Sequence, residues 1–520
     1  MEEKQGQRVF TGRRRILCEP LEVTAENVVD LLDRSNLKQS QNAADCAYLH
    51  DYFLGRQPVL DRVKEVRPDI RNVVVENRAY QICKDRADAL AGEPIAYSAH
   101  ANGRRHGDDV EAEADRVSHA VQMLNDCCTA ADKHACDLEL VQWMCECGVG
   151  YRLVLPTRGL DEEMPFRVFA LDPRCTFVVY SNEVSHDPLY AVTSVKDQYD
   201  VVTHTVYTAS RVFTIRDGHV LSESPNPLGV VPIVEYDANP ERMGVFEAVL
   251  TIFDAINEVE SNRVDGIAQF VQSLMVLENV DLDAGNGDEA AFADLMRMGC
   301  LKIKSTDDSK ASVQLLTAEL NQDQTQTLVD ALYKTALSIC GMPFNVGGSA
   351  STSDTGAAVT MRDGWSNSES RCKEAEAFFR RSESRFVRIA VSIMRAAIGG
   401  FDLMASDVDV KFTRRNYEAI QSKTQVLTTL LGSGKVHPRL AFEHCGMFPD
   451  PEAAYDLSQQ YSQEQERRAI KLATTAQQGG GDKGGSSSEE SAGVSDSGAG
   501  EGKRPPKSKR SQEGKTADEA

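Results

Sequence analysis

No apolar run in this sequence approaches the ~20 residues of a membrane-spanning helix, so no span and no membrane partner are expected. The first residues lack the basic start, short apolar stretch and small-residue cleavage site of a secretory leader. The 13 cysteines are an odd number without a regular framework, and no Cys-x-x-Cys or His-x-x-x-His pair occurs. Cys127-Cys128, His134, Cys136 and Cys145-Glu-Cys147 therefore read as free thiols and a packed or surface histidine, in a reducing cytoplasm, with no metal. Neither a Gly-x-Ser-x-Gly elbow nor a His-Glu-x-x-His helix is present. Gly432-Ser-Gly-Lys435 is only a fragment of a phosphate loop. Thr429 occupies the place of its first glycine, and Val436 stands where Ser or Thr must bind magnesium. A turn between helices is expected there, and no cofactor.

Basic charge is also scarce. Lysine and arginine number 57 against 79 aspartates and glutamates, giving a net charge of -22 and a pI near 5.0. That disfavours a surface that grips nucleic acid throughout, but it suits one past which DNA slides. At 41% hydrophobic, the 520 residues can fill several packed units. No internal repeat is visible.

The stretch from Tyr236 to Trp365 organises the rest. Val249, Ile252, Phe253, Ile256, Val259, Ile267, Phe270 and Leu274 predict a helix from Met243 to Leu274. Its polar side carries Glu247, Asp254, Glu258, Ser261, Asp265, Gln269 and Gln272, with four carboxylates and no cation. Met275–Leu277 and Leu301–Lys304 are strand candidates, with a short helix over Ala290–Met298 between them. Helix resumes at Asn321, with Gln324 placed as in a capping box, and Gly341 and Pro343 stop it. The following run, rich in glycine and serine, includes Asn345, Gly347, Gly348, Ser349, Ser351 and Asp354. It reads as a mobile loop between two helices.

Upstream, Met1–Pro20 reads as a solvated arm bearing Arg13-Arg-Arg15. Thr24–Leu54, Asn72–Leu90 and Ala112–Gly148 are helical, and Gly150–Tyr236 alternates as strands with a hairpin signal at Asp217-Gly218. Downstream, Ala357–Ile398 is a long helix whose Arg371, Arg380, Arg381, Arg385 and Arg388 make it locally basic. Val408–Phe412 is a strand, and Tyr417–Leu431 and Pro438–Cys445 are helices. The composition from Gln477 onward predicts disorder. The fold class expected is α+β, mainly helical.

Several short runs, in order, carry a resemblance. They are Tyr52-Phe-Leu-Gly-Arg-Gln-Pro-Val-Leu60, Leu90-Ala-Gly-Glu-Pro-Ile-Ala-Tyr97, Cys147-Gly-Val-Gly-Tyr-Arg-Leu153, Leu171-Asp-Pro173 before Phe177-Val-Val-Tyr180, and Leu228-Gly-Val-Val-Pro-Ile-Val234. Asp354-Thr-Gly-Ala-Ala358, Phe412-Thr-Arg-Arg-Asn416, Gly434-Lys-Val-His-Pro438 and Asp450-Pro-Glu452 follow. From about Ala25 to Gln460 the chain resembles the bacteriophage portal proteins of the SPP-one gp-six-like family, with threonine in place of the family's usual serine at Thr355.

The resemblance implies a portal fold that assembles as a dodecameric ring at one capsid vertex of the virion, formed in the host cytoplasm. It implies an arm at 1–24, a wing at 25–240, stem helices at 241–274 and 321–341, and a clip at 275–320. A tunnel loop at 342–356 holds Asn345, Gly347, Gly348, Ser349, Ser351 and Asp354. A kinked helix with a wing strand spans 357–415, a crown 416–475 and a disordered tail 476–520. Double-stranded DNA would pass non-specifically, inward in packaging and outward in ejection. Glu247, Asp254, Glu258 and Asp265 would face the channel. The terminase large subunit, a head-completion adaptor, scaffold and the major capsid protein would be partners. The competing expectation is a capsid-associated, metal-dependent nuclease or ATPase, but no concentrated carboxylate motif on short loops supports it.

Overall fold

The computed structural model describes residues 11–64, 68–99, 110–157, 163–271, 274–278, 300–303, 312–316, 322–343, 365–412, 420–445, 447–448 and 451–478. In chain order these form β1 (Ile16–Cys18), α1 (Val28–Phe53), α2 (Arg78–Ala91), β2 (Ala96–Ala99), α3 (Val110–Ala130) and α4 (Lys133–Cys147). Then come β3 (Val149–Pro156), β4 (Phe166–Leu171), β5 (Thr176–Ser181), β6 (Pro188–Lys196), β7 (Val202–Thr208), β8 (Arg211–Arg216), β9 (His219–Pro225) and β10 (Ile233–Asp237). The chain continues through α5 (Leu250–Val271), β11 (Leu274–Glu278), β12 (Cys300–Ile303), β13 (Ser312–Leu316), α6 (Gln322–Cys340) and α7 (Trp365–Ala397). It closes with β14 (Val408–Lys411), α8 (Ile420–Gly432), α9 (Pro438–Cys445) and α10 (Pro451–Gln478). The mixed α and β content agrees with the class expected.

Side-chain alternation sets the layers. A six-stranded sheet runs β1-β5-β6-β7-β8-β9, and a three-stranded one runs β10-β3-β4. Phe177, Val179, Tyr190, Val192, Val206 and Phe213 join Val28, Leu31 and Leu32 of α1 in one core. Their neighbours Val178, Tyr180 and Ala191 pack instead on Val149, Tyr151, Leu153 and Ile233 of the smaller sheet. The other face of that sheet, through Val154, Phe166, Val168, Val234 and Tyr236, enters the largest core with α2, α3, α4 and α7. Phe379 and Phe386 of α7 are fully buried there, each contributing roughly 1.5–3 kcal/mol. At Asp217-Gly218 both residues have positive φ, as the two-residue hairpin turn requires.

One ionic cluster is sealed inside this core. Arg152 of β3 bonds Glu383 of α7 at 2.8 Å and also pairs with Asp137 of α4. Lys133 bridges Asp137 at 2.5 Å and Glu383 at 2.9 Å. Tyr97 and Tyr236 donate their hydroxyls to Glu383 at 2.5 and 2.6 Å. Two cations thus meet two carboxylates, which is what makes their burial tolerable. Burial pushes Glu383 up, but Arg152 and Lys133 outweigh it and hold the carboxyl at about 2.

Two compact units divide the chain, Met1–Ala454 and Tyr455–Ala520. In the second, the described part is residues 455–478 of α10, where Arg468 and Glu464 pair one turn apart at 2.8 Å.

Several sequence expectations change. The segment bearing Arg13-Arg-Arg15 is no solvated arm: Arg13 is buried, and β1 pairs in parallel with β5. Ala112–Gly148 is two helices, broken where Asp132 takes φ +56°. Helix α2 begins only at Arg78: residues 72–76 form no helix, and Asn77 takes φ +41°. Leu274 opens a strand instead of ending a helix, and β13 and the pairing of β2 with β14 were not anticipated. Ser433–His437 is a turn between α8 and α9, as the Gly432-Ser-Gly-Lys435 reading expected. The short helix expected over Ala290–Met298 and the tail beyond 478 lie outside the described residues.

Candidate functional site

Helices α5 and α6 flank a strand excursion that returns to where it left. Leu274, three residues past α5, pairs with Leu316, six residues before α6, in antiparallel β11 and β13. Parallel β12 covers the other edge of β11. The two helices therefore run side by side: Phe253 and Ile256 share a core with Val329, Ala336 and Leu337, and Arg263 Nη1 donates to Gln326 Oε1 at 2.7 Å.

The start of this pair is held by a tight junction. Arg13 N donates to Arg242 O at 2.9 Å, and Arg242 Nε donates back to Arg13 O at 2.9 Å. Arg242 also pairs with Glu235 and with Asp237, the latter at 2.7 Å. A Cβ at Gly148 would stand 2.3 Å from Arg242 O, and one at Gly12 would stand 1.9 Å from Glu241 O; both residues have positive φ. Only glycine allows backbones to approach this closely in that conformation.

A second support lies along α5. Asn72, Val74 and Glu76, alternate residues of an extended segment, donate their backbone N–H groups to Asp265, Ser261 and Asn257 at 2.7, 3.0 and 3.0 Å. The acceptors are four residues apart. Two extended residues advance about 6.7 Å and four helical residues about 6 Å, so the ladders stay in register. A helix side chain here replaces a strand partner for each buried N–H.

The four carboxylates of the expected channel stripe are separated by these supports. Glu247 is 5% exposed and pairs with Arg13, while Oε2 accepts from Gly244 N at 2.8 Å. Burial raises its pKa more than Arg13 lowers it. Asp254 is half-buried and accepts from the Tyr52 hydroxyl at 2.9 Å; burial raises its pKa against that bond. Asp265 is 3% exposed and is bonded by Arg62 and Lys64, each at 3.0 Å, as well as Asn72. Burial pushes Asp265 up, but the Asn72 and Lys64 bonds prevail and hold it at about 2. Glu258 alone is exposed, with Arg62 3.1 Å away. An open stripe of four is therefore not what this chain presents: a helix's polar side can face its own chain as well as solvent. The expected loop residues Asn345, Gly347, Gly348, Ser349, Ser351 and Asp354 lie outside the described residues.

Among the described residues no cluster of three or more His, Cys, Asp or Glu is placed to hold a metal ion. No helix among them is long and apolar enough to cross a membrane. What the geometry offers is a braced pair of helices carrying a small sheet. The sequence family described as phage portal protein, SPP1 Gp6-like, matches residues 34–472, most of the chain.

The chain belongs to that portal family.

No curated protein matches the portal chain in sequence. The family is structural and not a family of enzymes, and the match spans everything from within α1 to within α10. Sequence reasoning missed the bracing residues Arg13, Arg62, Lys64 and Asn72. The signal for Arg13 was the glycine before it; Asn72 and Lys64 left none, because their partner lies some two hundred residues away.

Proposed function

We propose that copies of this portal chain close into a dodecameric ring at one capsid vertex. The ring is the conduit for double-stranded DNA in packaging and ejection. The observation that carries this reading is the braced α5–α6 pair with its strand excursion, inside a chain matched to the portal family over 34–472. In this reading α5 and α6 are the stem, and the sheet of β11, β12 and β13 belongs to the clip. That clip docks the terminase large subunit and then the head-completion adaptor. The elements from α1 through β10 form the wing, preceded by the arm at 1–24, and scaffold and major capsid protein are partners of the ring. Residues 342–356 form the tunnel loop and α8 to α10 the crown.

Unburied apolar side chains support the ring. Ile267 on α5 and Leu328 and Ile339 on α6 are 46%, 49% and 48% exposed in the single chain. Heterologous contact between neighbours would cover such positions all round a closed ring. Glu258, the exposed one of the four carboxylates with Arg62 beside it, would face the channel, where a circle of like charge repels phosphate and gives a low-friction path. Negative-stain imaging of the purified protein tests the reading. Rings with a central hole support it, and compact monomers point to the competing nuclease or ATPase.

A further inference from the structure

The portal reading needs DNA to pass without being gripped, yet one face of this acidic chain gathers exposed arginines. Arg15 and Arg381 converge on the same oxygen of Asp237, at 2.8 and 2.7 Å, while buried Arg242 takes the other oxygen at 2.7 Å. Asp237 thus meets three guanidinium groups, two of them exposed, while the third, Arg242, is also paired with Glu235. Arg15 also lies over the Tyr180 ring, 5.9 Å from its centre, and Arg385 is close enough to act electrostatically on the same tyrosine. Arg385 and Arg388 follow Arg381 on one face of α7, are exposed, and have no ion pair among the described residues.

We infer that Arg15, Arg381, Arg385 and Arg388 form a binding site for the phosphate backbone of nucleic acid, separate from the α5–α6 pair. Three features favour this ligand. All four groups are arginine, whose planar fork matches phosphate oxygens where lysine offers only a point charge. The run from Arg381 to Arg388 spans about 10 Å along the helix, the axial length of about three phosphates on one DNA strand. Contacts from these arginines to phosphate oxygens position a duplex without selecting its sequence. Asp237 holds Arg15 and Arg381 in place before any ligand arrives, which reduces the ordering cost of binding.

The test uses the full chain and a short duplex of mixed sequence, with binding followed by fluorescence anisotropy across salt. Wild type should bind at about 50 mM salt and weaken steeply by about 200 mM. The pair Arg385→Glu with Arg388→Glu should weaken binding at least tenfold and flatten the log–log salt slope by about two, since each phosphate contact contributes about 0.9. Both side chains are exposed, so the circular dichroism spectrum should not change. The inference is overturned if wild type fails to bind at low salt, or if the double variant binds as tightly with the same slope. It is also overturned if wild type does not bind while the variant alone loses its oligomeric state, because the face then meets a second copy of the chain. Ring imaging is read separately, so failure of the portal reading is distinguishable from failure of this one.

Discussion

Asn72 donates both its backbone N–H and its side-chain amide to one oxygen of Asp265, at 2.7 and 3.0 Å. The other oxygen takes Arg62 and Lys64. This carboxylate therefore fixes both the segment 72–76 and the Arg62–Lys64 stretch to α5.

Asp265→Ala removes the anion and leaves two cations facing each other. A loss of about 2 kcal/mol or more is expected, seen as a lower thermal midpoint and new proteolysis within 62–76. Asp265 is held at about 2, below its unfolded value near 3.9, so its contribution is present above that value and fades as pH falls through about 2. The variant should therefore lose the wild type's steepening of acid unfolding in that window. An unchanged thermal midpoint would show that the segment is not held by Asp265.

Glu383→Gln leaves Arg152 and Lys133 against Asp137 alone in a sealed core. A cost of about 3–5 kcal/mol is expected for an uncompensated buried charge. Adding Lys133→Met restores one cation to one anion and should recover part of the loss, so the two changes should be non-additive in thermal unfolding. Strict additivity would contradict the shared network.

Glu258→Lys tests the proposed channel face and leaves Glu247 and Asp265 in place, while Arg62 keeps Asp265 and loses Glu258 as a partner. A lysine repeated around a ring would bind phosphate, so variant rings should retain DNA at low salt, release it as salt rises and stall packaging. Rings that hold DNA no better than wild type at low salt would place Glu258 away from the channel.

Gly347→Pro with Gly348→Pro stiffens the proposed tunnel loop. Assembly should be unchanged, while DNA translocation in a packaging assay falls. Normal packaging by such rings would remove the loop from the mechanism.

Much of the fold was legible because periodicity is local. The two-residue alternation of β3 to β8 and the helical spacing of α1 and α7 were readable, and both set the core faces seen here. The fate of the polar side of α5 was not, since Asp265 and an exposed carboxylate have the same spacing in sequence. Its partners Arg62, Lys64 and Asn72 approach only through tertiary packing. Arg13 misled for the same reason: three arginines in a row suggest solvent, but Glu247 and the Arg242 backbone bury the first of them. Strand β13 was missed because its pairing with β11 depends on a partner more than thirty residues away.

The mass of the assembled particle in solution tests the central claim most directly. The portal account predicts a single closed species at twelve times the 57.1 kDa of one chain. A protein that stays at the mass of one chain across concentration would contradict it.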